Sequence, residues 1–221
     1  MRRIKEPELM DDAEQARAYA EADFAEPHNS YVTLFARKFP RRPKRATVLD
    51  LGCGAADVTI RFAKANPGYT FHGVDGSAAM LKYGRKALAR ERLSRRIRLI
   101  QGFLSGAPIP RQSYDVIICS SFLHHLHDPQ VLWQTVWQHS RKGTIVFVAD
   151  LFRPASPARA GKLVEQYSGD EPAVLKRDFI NSLLAAFTPR EVEAQLREAG
   201  LSHLQVEVIS DRHLIVFGKI R

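Results

Sequence analysis

Cysteine is scarce in this sequence, which contains only Cys53 and Cys119 among its 221 residues. Their spacing is typical of neither a metal site nor a disulfide framework, so we predict neither. Long apolar runs are also missing: the longest, from Thr144 to Leu151, includes Asp150 and is far too short to span a bilayer. No apolar segment follows the basic residues near the N-terminus, so we expect no secretory signal. These absences predict a cytoplasmic protein with no membrane span.

Acidic residues are almost missing from two basic stretches that account for the net charge of +9. Six basic residues lie between Arg37 and Arg45 without an acid, and eight lie between Lys82 and Arg98 beside the single acid Glu91. A solvated helix face explains such runs more often than a polyanion site does. A nucleic-acid partner therefore stays open but is not favoured.

The length suits one domain with a sizeable core, and the content of apolar (45%) and charged (26%) residues is that of a globular protein. The most informative stretch runs from Thr47 to Asp57. Its apolar residues predict a buried parallel strand, which ends at Asp50-Leu51 and leads through Gly52-Cys53-Gly54 into a helix. Glycine permits a sharp turn there and lets a ligand approach the main chain. The unpaired N–H groups at the start of the helix favour an anionic group.

A second acid follows the next predicted strand, Phe71 to Asp75, and lies 25 residues after Asp50. Dinucleotide-binding folds place an acid about 20 residues downstream of the first strand, where it accepts hydrogen bonds from ribose hydroxyls. The two strand-end carboxylates and the glycine turn together indicate a site for a nucleotide-like ligand.

These residues resemble the class I S-adenosyl-L-methionine-dependent methyltransferases. Val48–Gly54 is similar to their first motif, and Gly73–Ser77 with Met80 is similar to their second. The resemblance extends over about residues 46–150 and is strongest to small-molecule enzymes of the quinone-biosynthesis type, whose loop after the fourth strand often reads like Leu123-His124-His125-Leu126. It implies S-adenosyl-L-methionine as cofactor, with S-adenosyl-L-homocysteine as product, rather than a nicotinamide. Ala56, in place of the third glycine of the dinucleotide pattern, agrees with this interpretation.

Strands that alternate with helical segments predict a doubly wound, mostly parallel, Rossmann-like α/β sheet. The third, fourth and fifth strands are expected at Ile97–Gln101, Ser113–Cys119 and Thr144–Asp150. Two further strand-like runs, 204–209 and 213–218, are separated by only three residues and predict a C-terminal antiparallel hairpin, which completes seven strands.

The resemblance also implies a division of the chain. Residues 1–45 would form an N-terminal helical lid, residues 46–221 the methyltransferase domain, and an insertion at about 153–187 one wall of the substrate pocket. Within the lid we expect one or two short helices in residues 6–26, a break at Pro27–Ser30, and a helix from Tyr31 to about Lys38.

For the cofactor, Asp75 is assigned to the ribose hydroxyls and the backbone of Gly52, Cys53 and Gly54 to the methionine portion, while Asp50 orients the turn or meets the ammonium group. The family commonly has an aspartate beyond the third strand, where this chain has Gly102-Phe103. Either Phe103 stacks on adenine or Gln101 supplies the polar contact. The other candidate cofactor contacts are Gly76, Met80, Ser120 and Ser121.

Methyl transfer from a sulfonium is an in-line displacement, so it depends on holding the nucleophile against the methyl carbon in a dry pocket. His124 and His125 are the candidate general bases, because imidazole titrates near neutral pH. Alternatively, one of them caps a backbone carbonyl while the other packs beside Leu126. We predict no metal, because no nearby Cys or Glu in the sequence completes a ligand set.

Two residues outside the motifs are candidates for contact with the acceptor. Tyr19 would face the pocket from the lid, with Asp23 and Phe24 as weaker candidates, although an aromatic residue there is also typical of plain core. Arg153 would face the acceptor after the fifth strand, with a surface cation as the equal alternative.

The predicted function is S-adenosyl-L-methionine-dependent methyl transfer to a small-molecule acceptor. One alternative is an RNA methyltransferase that uses the basic stretches, although the fourth strand lacks the Asn/Asp-Pro-Pro-aromatic motif of enzymes that methylate exocyclic amines of bases. The other is a non-catalytic partner protein that binds the cofactor. The sequence specifies neither the acceptor nor the oligomeric state.

Overall fold

Seven strands form one sheet in the computed structural model, which describes residues 1–9, 13–22 and 24–221. They are β1 (Ala46–Leu51), β2 (Tyr69–Asp75), β3 (Ile97–Gln101), β4 (Val116–Ser120), β5 (Ile145–Leu151), β6 (Gln205–Val208) and β7 (His213–Lys219). The order is β3-β2-β1-β4-β5-β7-β6, in which β1 to β5 pair in parallel and β7 pairs antiparallel with both β5 and β6. The predicted sheet and its C-terminal antiparallel strands are therefore confirmed.

Helices connect the strands and cover both faces of the sheet. They are α1 (Ala13–Glu21), α2 (Ala25–Lys38), α3 (Asp57–Ala65), α4 (Ala78–Arg90), α5 (Gln130–Gln138), α6 (Pro157–Ser168), α7 (Ala173–Ala185) and α8 (Pro189–Glu198), with a short 3-10 helix at Leu123–His125. Within the described ranges, none of them combines the length and the apolarity needed to cross a membrane.

The burial of β1 on both sides explains its nearly continuous apolar sequence. Successive side chains of a strand point to opposite faces. Ala46 and Val48 thus pack into one core with residues of α2, α3 and α4, whereas Leu49 and Leu51 pack into the other core with residues of α5 and α8. Such a strand is typical of a parallel sheet covered by helices on both faces.

The strand register aligns the carboxyl ends of the central strands. Asp50 pairs with Gly73 of β2 and with Ile118 of β4, and Ser120 pairs with Ala149 of β5. The chain moves outward from β1 to β2 and β3 and then returns to β4 on the other side of β1. Ligands of open α/β sheets bind beside such a switch point, at the carboxyl ends of the strands.

Two helices begin with side-chain caps whose residue types are typical of helix starts. Ser77 Oγ accepts a hydrogen bond from Met80 N at the start of α4. Thr188 and Glu191 form a reciprocal capping box at the start of α8, with Pro189 at the first helical position. Both caps satisfy backbone N–H groups that have no partner within the helix.

The predicted break at Pro27–Ser30 is wrong, because α2 runs through it from Ala25 to Lys38. Pro27 is the third residue of this helix. The N–H groups of the first turn have no acceptor within a helix, so proline loses no hydrogen bond there. The sequence pattern placed the helix start six residues, or nearly two turns, too late.

Two boundaries near β4 also differ from the prediction. The strand begins at Val116 rather than Ser113, because Tyr114 N donates to His139 O outside the sheet. Asp128 does not cap α5 with Pro129 as its first residue; instead Pro129 itself occupies the cap position, and Asp128 Oδ1 accepts from Gln130 N.

The segment predicted as an insertion contains two helices that pack against each other. Ala160, Leu163 and Val164 of α6 form a small core with Leu183 of α7. The N-terminal segment, residues 1–9, lies against the end of α7, where Ile4 N donates to Leu184 O. This segment therefore reaches the loop that follows β4.

The two tryptophans of α5 provide a test of the core. Trp133 is fully buried and its Nε1 donates to Gln195 Oε1 at 3.1 Å, whereas Trp137 is 54% exposed. We expect Trp133→Ala to lower the free energy of unfolding by about 3–5 kcal/mol, because it leaves a large cavity. Trp137→Ala should change it by no more than about 0.5 kcal/mol. Urea unfolding followed by circular dichroism measures both, and equal effects would contradict this description of the core.

Candidate active site

The turn after β1 requires glycine for two reasons. Gly52 and Gly54 adopt left-handed φ angles of +74° and +50°. A Cβ at Gly52 would also lie 2.2 Å from Cγ of Phe122, and one at Gly54 would lie 3.2 Å from Cε of Met80. Only glycine satisfies both conditions at Gly52, so the ring of Phe122 packs directly against the main chain there.

Asp75 joins this turn to the start of α4. Its Oδ2 accepts from Gly54 N and its Oδ1 accepts from Ser77 N, both at 2.8 Å. Burial raises the pKa of Asp75 above its ordinary value, although the two N–H groups counteract this effect. Each carboxylate oxygen has a further lone pair, so Asp75 remains able to accept a hydrogen bond from a ligand.

Asp50 lies behind the turn and is buried. Thr59 Oγ1 donates to its Oδ2 at 2.5 Å, while its Oδ1 has no hydrogen-bond partner among the described residues. Burial raises the pKa of Asp50 to about 7, because one hydrogen bond from Thr59 only partly offsets the loss of water.

A cavity of about 1170 Å³ opens at the carboxyl ends of the strands. It contacts most of the residues predicted to bind the cofactor, but not Asp50. The predicted cofactor residues that line it are Gly52, Cys53, Gly54, Asp75, Gly76, Met80, Gly102, Phe103, Ser120 and Ser121.

Phe103 lies at the rim of this cavity with 62% of its surface exposed. Its ring is close to the backbone of Gly76, since a Cβ there would lie 3.2 Å from Cε1 of Phe103. Gly102 N donates to Asp75 O at 3.0 Å and so holds the start of this loop beside β2. Phe103 thus presents an aromatic ring at the position where the family commonly has an acid.

His124 and His125 differ in their surroundings. His125 lines the cavity, whereas His124 is buried behind it and hydrogen-bonds Asp150 Oδ1 through Nδ1 at 2.5 Å. The carboxylate of Glu6 lies between them: its Oε1 is 3.6 Å from His124 Nε2 and 3.3 Å from His125 Nδ1. The N–H groups of Phe122 and His124 also point at Asp150 Oδ2.

Burial opposes charge on every member of this cluster, and the neighbours decide which groups ionise. Although burial lowers the pKa of His124, the charge and the hydrogen bond of Asp150 raise it above its ordinary value. Burial and the charge of His124 lower the pKa of His125 to about 3. Burial raises the pKa of Glu6. His125 therefore stays neutral at physiological pH and is a weak proton acceptor.

The two candidate acceptor contacts have different positions. Tyr19 lines the cavity, where its ring centroid is 4.7 Å from that of Phe24, and burial raises the pKa of Tyr19 to about 12. Arg153 does not line the cavity. It is buried, its Nη2 pairs with Glu191 Oε1 at 2.7 Å, and its Nη1 donates to Ala186 O. The candidate Asp23 lies outside the described residues.

Comparison with known proteins identifies the domain. Residues 49–146 match the family described as a methyltransferase domain. The chain is 36% identical over 113 residues to trans-aconitate 2-methyltransferase of Deinococcus radiodurans, a stretch covering 49% of this chain and 39% of that protein. It is 27% identical over 110 residues to demethylmenaquinone methyltransferase of Lactobacillus johnsonii, covering 49% and 45%. The chain thus spans less than half of the length of these curated relatives.

This chain contains a class I methyltransferase domain. A solved S-adenosyl-L-methionine-dependent methyltransferase from Aquifex aeolicus shares its fold, with a TM-score of 0.68 over 93% of this chain and 97% of that one at 15% identity. Domains of this class take S-adenosyl-L-methionine as methyl donor and release S-adenosyl-L-homocysteine.

Several residues around the methyltransferase site were not predicted from the sequence. Glu8, His28 and Phe122 line the cavity, and Glu6 lies beside the two histidines. His28 carried no signal, because it lay in the predicted break at Pro27–Ser30; its ring bonds Asp57 at the start of α3 at 2.7 Å. Glu6 carried none, because nothing local distinguishes it from the other acids near the N-terminus.

Asp50 makes the stability of the methyltransferase domain depend on pH. Because its pKa is raised from 3.8 to about 7, the folded protein holds a proton that the unfolded chain releases between these pH values. The free energy of unfolding therefore falls as pH rises through this window, by up to about 4 kcal/mol. Asp50→Asn removes this titration and keeps an oxygen that accepts from Thr59. Its free energy of unfolding, relative to that of the unsubstituted protein, should therefore rise by roughly 2–3 kcal/mol from pH 5 to pH 8.

Urea unfolding at the two pH values measures this difference. The matched control is Asp170→Asn, since the side chain of Asp170 is exposed and its substitution should give the same small difference at both pH values. The contrary result is a difference in the free energy of unfolding between Asp50→Asn and the unsubstituted protein that is the same at both pH values. It would show that Asp50 ionises in the folded state as it does in water.

Proposed function

We propose that this protein transfers a methyl group from S-adenosyl-L-methionine to a small-molecule acceptor. The observation that carries the proposal is that the main chain at Gly52 and Gly54, the carboxylate of Asp75 and the ring of His125 all face one cavity. A donor bound at the glycine turn would share that cavity with any acceptor that reaches His125.

For the donor, we propose that the backbone of Gly52 to Gly54 binds the methionine portion and that Asp75 accepts hydrogen bonds from the ribose hydroxyls. All three residues of the left-handed turn line the cavity, so their main chain is a candidate partner for the ammonium group. Both oxygens of Asp75 are already fixed by backbone N–H groups, which holds the carboxylate in one orientation before the ligand arrives. Phe103 would stack on the adenine ring at the rim.

For the acceptor, we propose the part of the cavity between the N-terminal helices and the loop after β4. Its lining includes the rings of Tyr19, Phe24 and Phe122 together with His125. The cavity volume exceeds the range of about 300–1,000 Å³ that is typical of sites for one ligand, which supports binding of two molecules side by side. Two of the matched relatives are named for small acceptors, trans-aconitate and demethylmenaquinone.

The chemistry follows from this placement. The acceptor attacks the methyl carbon in line with the departing sulfur, and the positive sulfonium becomes a neutral thioether. Holding the two reactants in one enclosed cavity removes much of the entropic cost of bringing them together. The phenol of Tyr19 remains protonated at neutral pH and is available as a hydrogen-bond donor to the acceptor.

The roles of His124 and His125 as general bases stay predictions, as do a cytoplasmic location, transfer to RNA and cofactor binding without catalysis. Each has a distinct readout. Production of S-adenosyl-L-homocysteine with a small acceptor excludes a purely binding role, and RNA binding that weakens steeply with salt would favour the basic stretches.

Calorimetric titration of S-adenosyl-L-methionine tests the donor site. We expect saturable one-to-one binding to the unsubstituted protein and a loss of about 10- to 100-fold in affinity for Asp75→Ala, because hydrogen bonds to a charged group contribute about 1.5–3 kcal/mol. Asp75→Asn retains one acceptor oxygen and should fall between the two.

Asp170→Ala is the matched control, since it removes an exposed aspartate and should leave the affinity unchanged. Circular dichroism establishes that each variant is folded. Absence of binding by the folded, unsubstituted protein would refute the proposed function.

A further inference from the structure

Three side chains bring ligand atoms of the type that transition metals prefer to one point beside the cavity. One atom each of Glu6, His124 and His125 lies within 4.8 Å of the other two. The prediction of no metal rested on the lack of an acid near the histidines in the sequence, and the fold supplies one from a segment 118 residues away.

The atoms that face this point lack hydrogen-bond partners. Glu6 Oε1 and His125 Nδ1 are buried, and neither has a partner among the described residues. Buried polar atoms without partners are rare in folded proteins. His125 Nδ1 lies 3.3 Å from Glu6 Oε1, and a cation bound between the two atoms would give both of them a partner.

His124 is oriented by a carboxylate on its far side. His124 Nδ1 bonds Asp150, so its Nε2 faces Glu6 Oε1 at 3.6 Å. Histidines that bind metals usually donate their other ring N–H to a carboxylate or a backbone carbonyl. Asp150 supplies such a partner for His124.

We propose that Glu6, His124 and His125 bind a Zn²⁺ ion through Oε1, Nε2 and Nδ1. Zinc bonds to nitrogen and oxygen measure about 2.0–2.2 Å, so the ligand atoms of a tetrahedral site lie about 3.3–3.6 Å apart. The two distances to Glu6 Oε1, 3.3 and 3.6 Å, have these values. Two imidazoles and one carboxylate also favour zinc or a similar transition metal over Mg²⁺, which prefers oxygen ligands.

The ion would lie beside the cavity, because His125 is one of the residues that line it. Catalytic zinc sites have three protein ligands and leave the fourth position to water or substrate. If the proposed methyl transfer is correct, the fourth ligand is the oxygen or sulfur of an acceptor with a hydroxyl or thiol group. This acceptor loses its proton to solvent on binding, and its lone pair then forms the bond to the methyl carbon as the bond from that carbon to the donor sulfur breaks. The products are the methylated acceptor and neutral S-adenosyl-L-homocysteine.

Titration with Co²⁺ tests the metal site without cofactor or acceptor. Co²⁺ in a tetrahedral site with nitrogen and oxygen ligands absorbs visible light, and Zn²⁺ should displace it at a one-to-one ratio while Mg²⁺ should not. We expect Glu6→Gln and His125→Asn each to weaken Co²⁺ binding by at least about tenfold. The matched controls are Glu193→Gln and His139→Asn, because Glu193 is an exposed acid of α8 and His139 lies at the end of α5. Both should bind as the unsubstituted protein does.

Two results would overturn the site. One is a folded, unsubstituted protein that shows no tetrahedral Co²⁺ spectrum, and the other is binding that survives in Glu6→Gln and His125→Asn, which would indicate histidines elsewhere on the surface. Calorimetry of S-adenosyl-L-methionine with and without Zn²⁺ separates this failure from that of the proposed function. A protein that binds the cofactor but no metal loses only the zinc site, whereas one that binds the metal but no cofactor loses the proposed function.

Discussion

The carboxylate of Asp75 is the interaction on which the rest of the site depends. It fixes the turn after β1 through Gly54 N and the start of α4 through Ser77 N, so it joins the ends of two neighbouring strands. The parallel register of β1 with β2 brings these ends to the same edge of the sheet. Without this carboxylate, Gly54 N would lose its hydrogen-bond acceptor. Glycine loses more conformational freedom on folding than any other residue, so the turn depends on this bond to stay ordered.

Unsatisfied polar atoms are concentrated around the cavity rather than spread through the fold. Asp50 Oδ1, Glu6 Oε1 and His125 Nδ1 are three of the four buried side-chain atoms without a partner in the described ranges. The fourth, His203 Nε2, lies elsewhere, whereas other buried polar groups such as Trp133 Nε1 are paired. Each unpaired group lowers the free energy of unfolding by about 1–3 kcal/mol, so these residues make the domain less stable. Such a loss of stability is typical of a functional site, where a ligand supplies the missing partner.

Local sequence patterns predicted the elements of the fold, and tertiary contacts decided what they missed. The strands, the glycine turn and the caps at Ser77 and Thr188 follow from signals within a few residues. Pro27 was misinterpreted because its position within the helix, not its presence, determines whether it breaks the helix. The contact of Glu6 with His125 and the ion pair of the buried Arg153 with the partly exposed Glu191 depend on how distant segments meet, so no local pattern encodes them.

The N-terminal segment is held at the site by the side chain of Arg3, which bonds main-chain carbonyl groups of the loop after β4. Arg3 Nη2 donates to the carbonyl oxygens of His124 and Leu126, and its guanidinium group lies 3.8 Å from the ring centroid of Phe187. Fixing each residue of such a segment costs about 1–2 kcal/mol of conformational entropy, so a few hydrogen bonds only just hold it in place. Glu6 meets the two histidines only while the segment is docked. A ligand or ion that bridges them therefore stabilises the wall of the cavity as well as the site, and the order of this segment and the occupancy of the site are thermodynamically coupled.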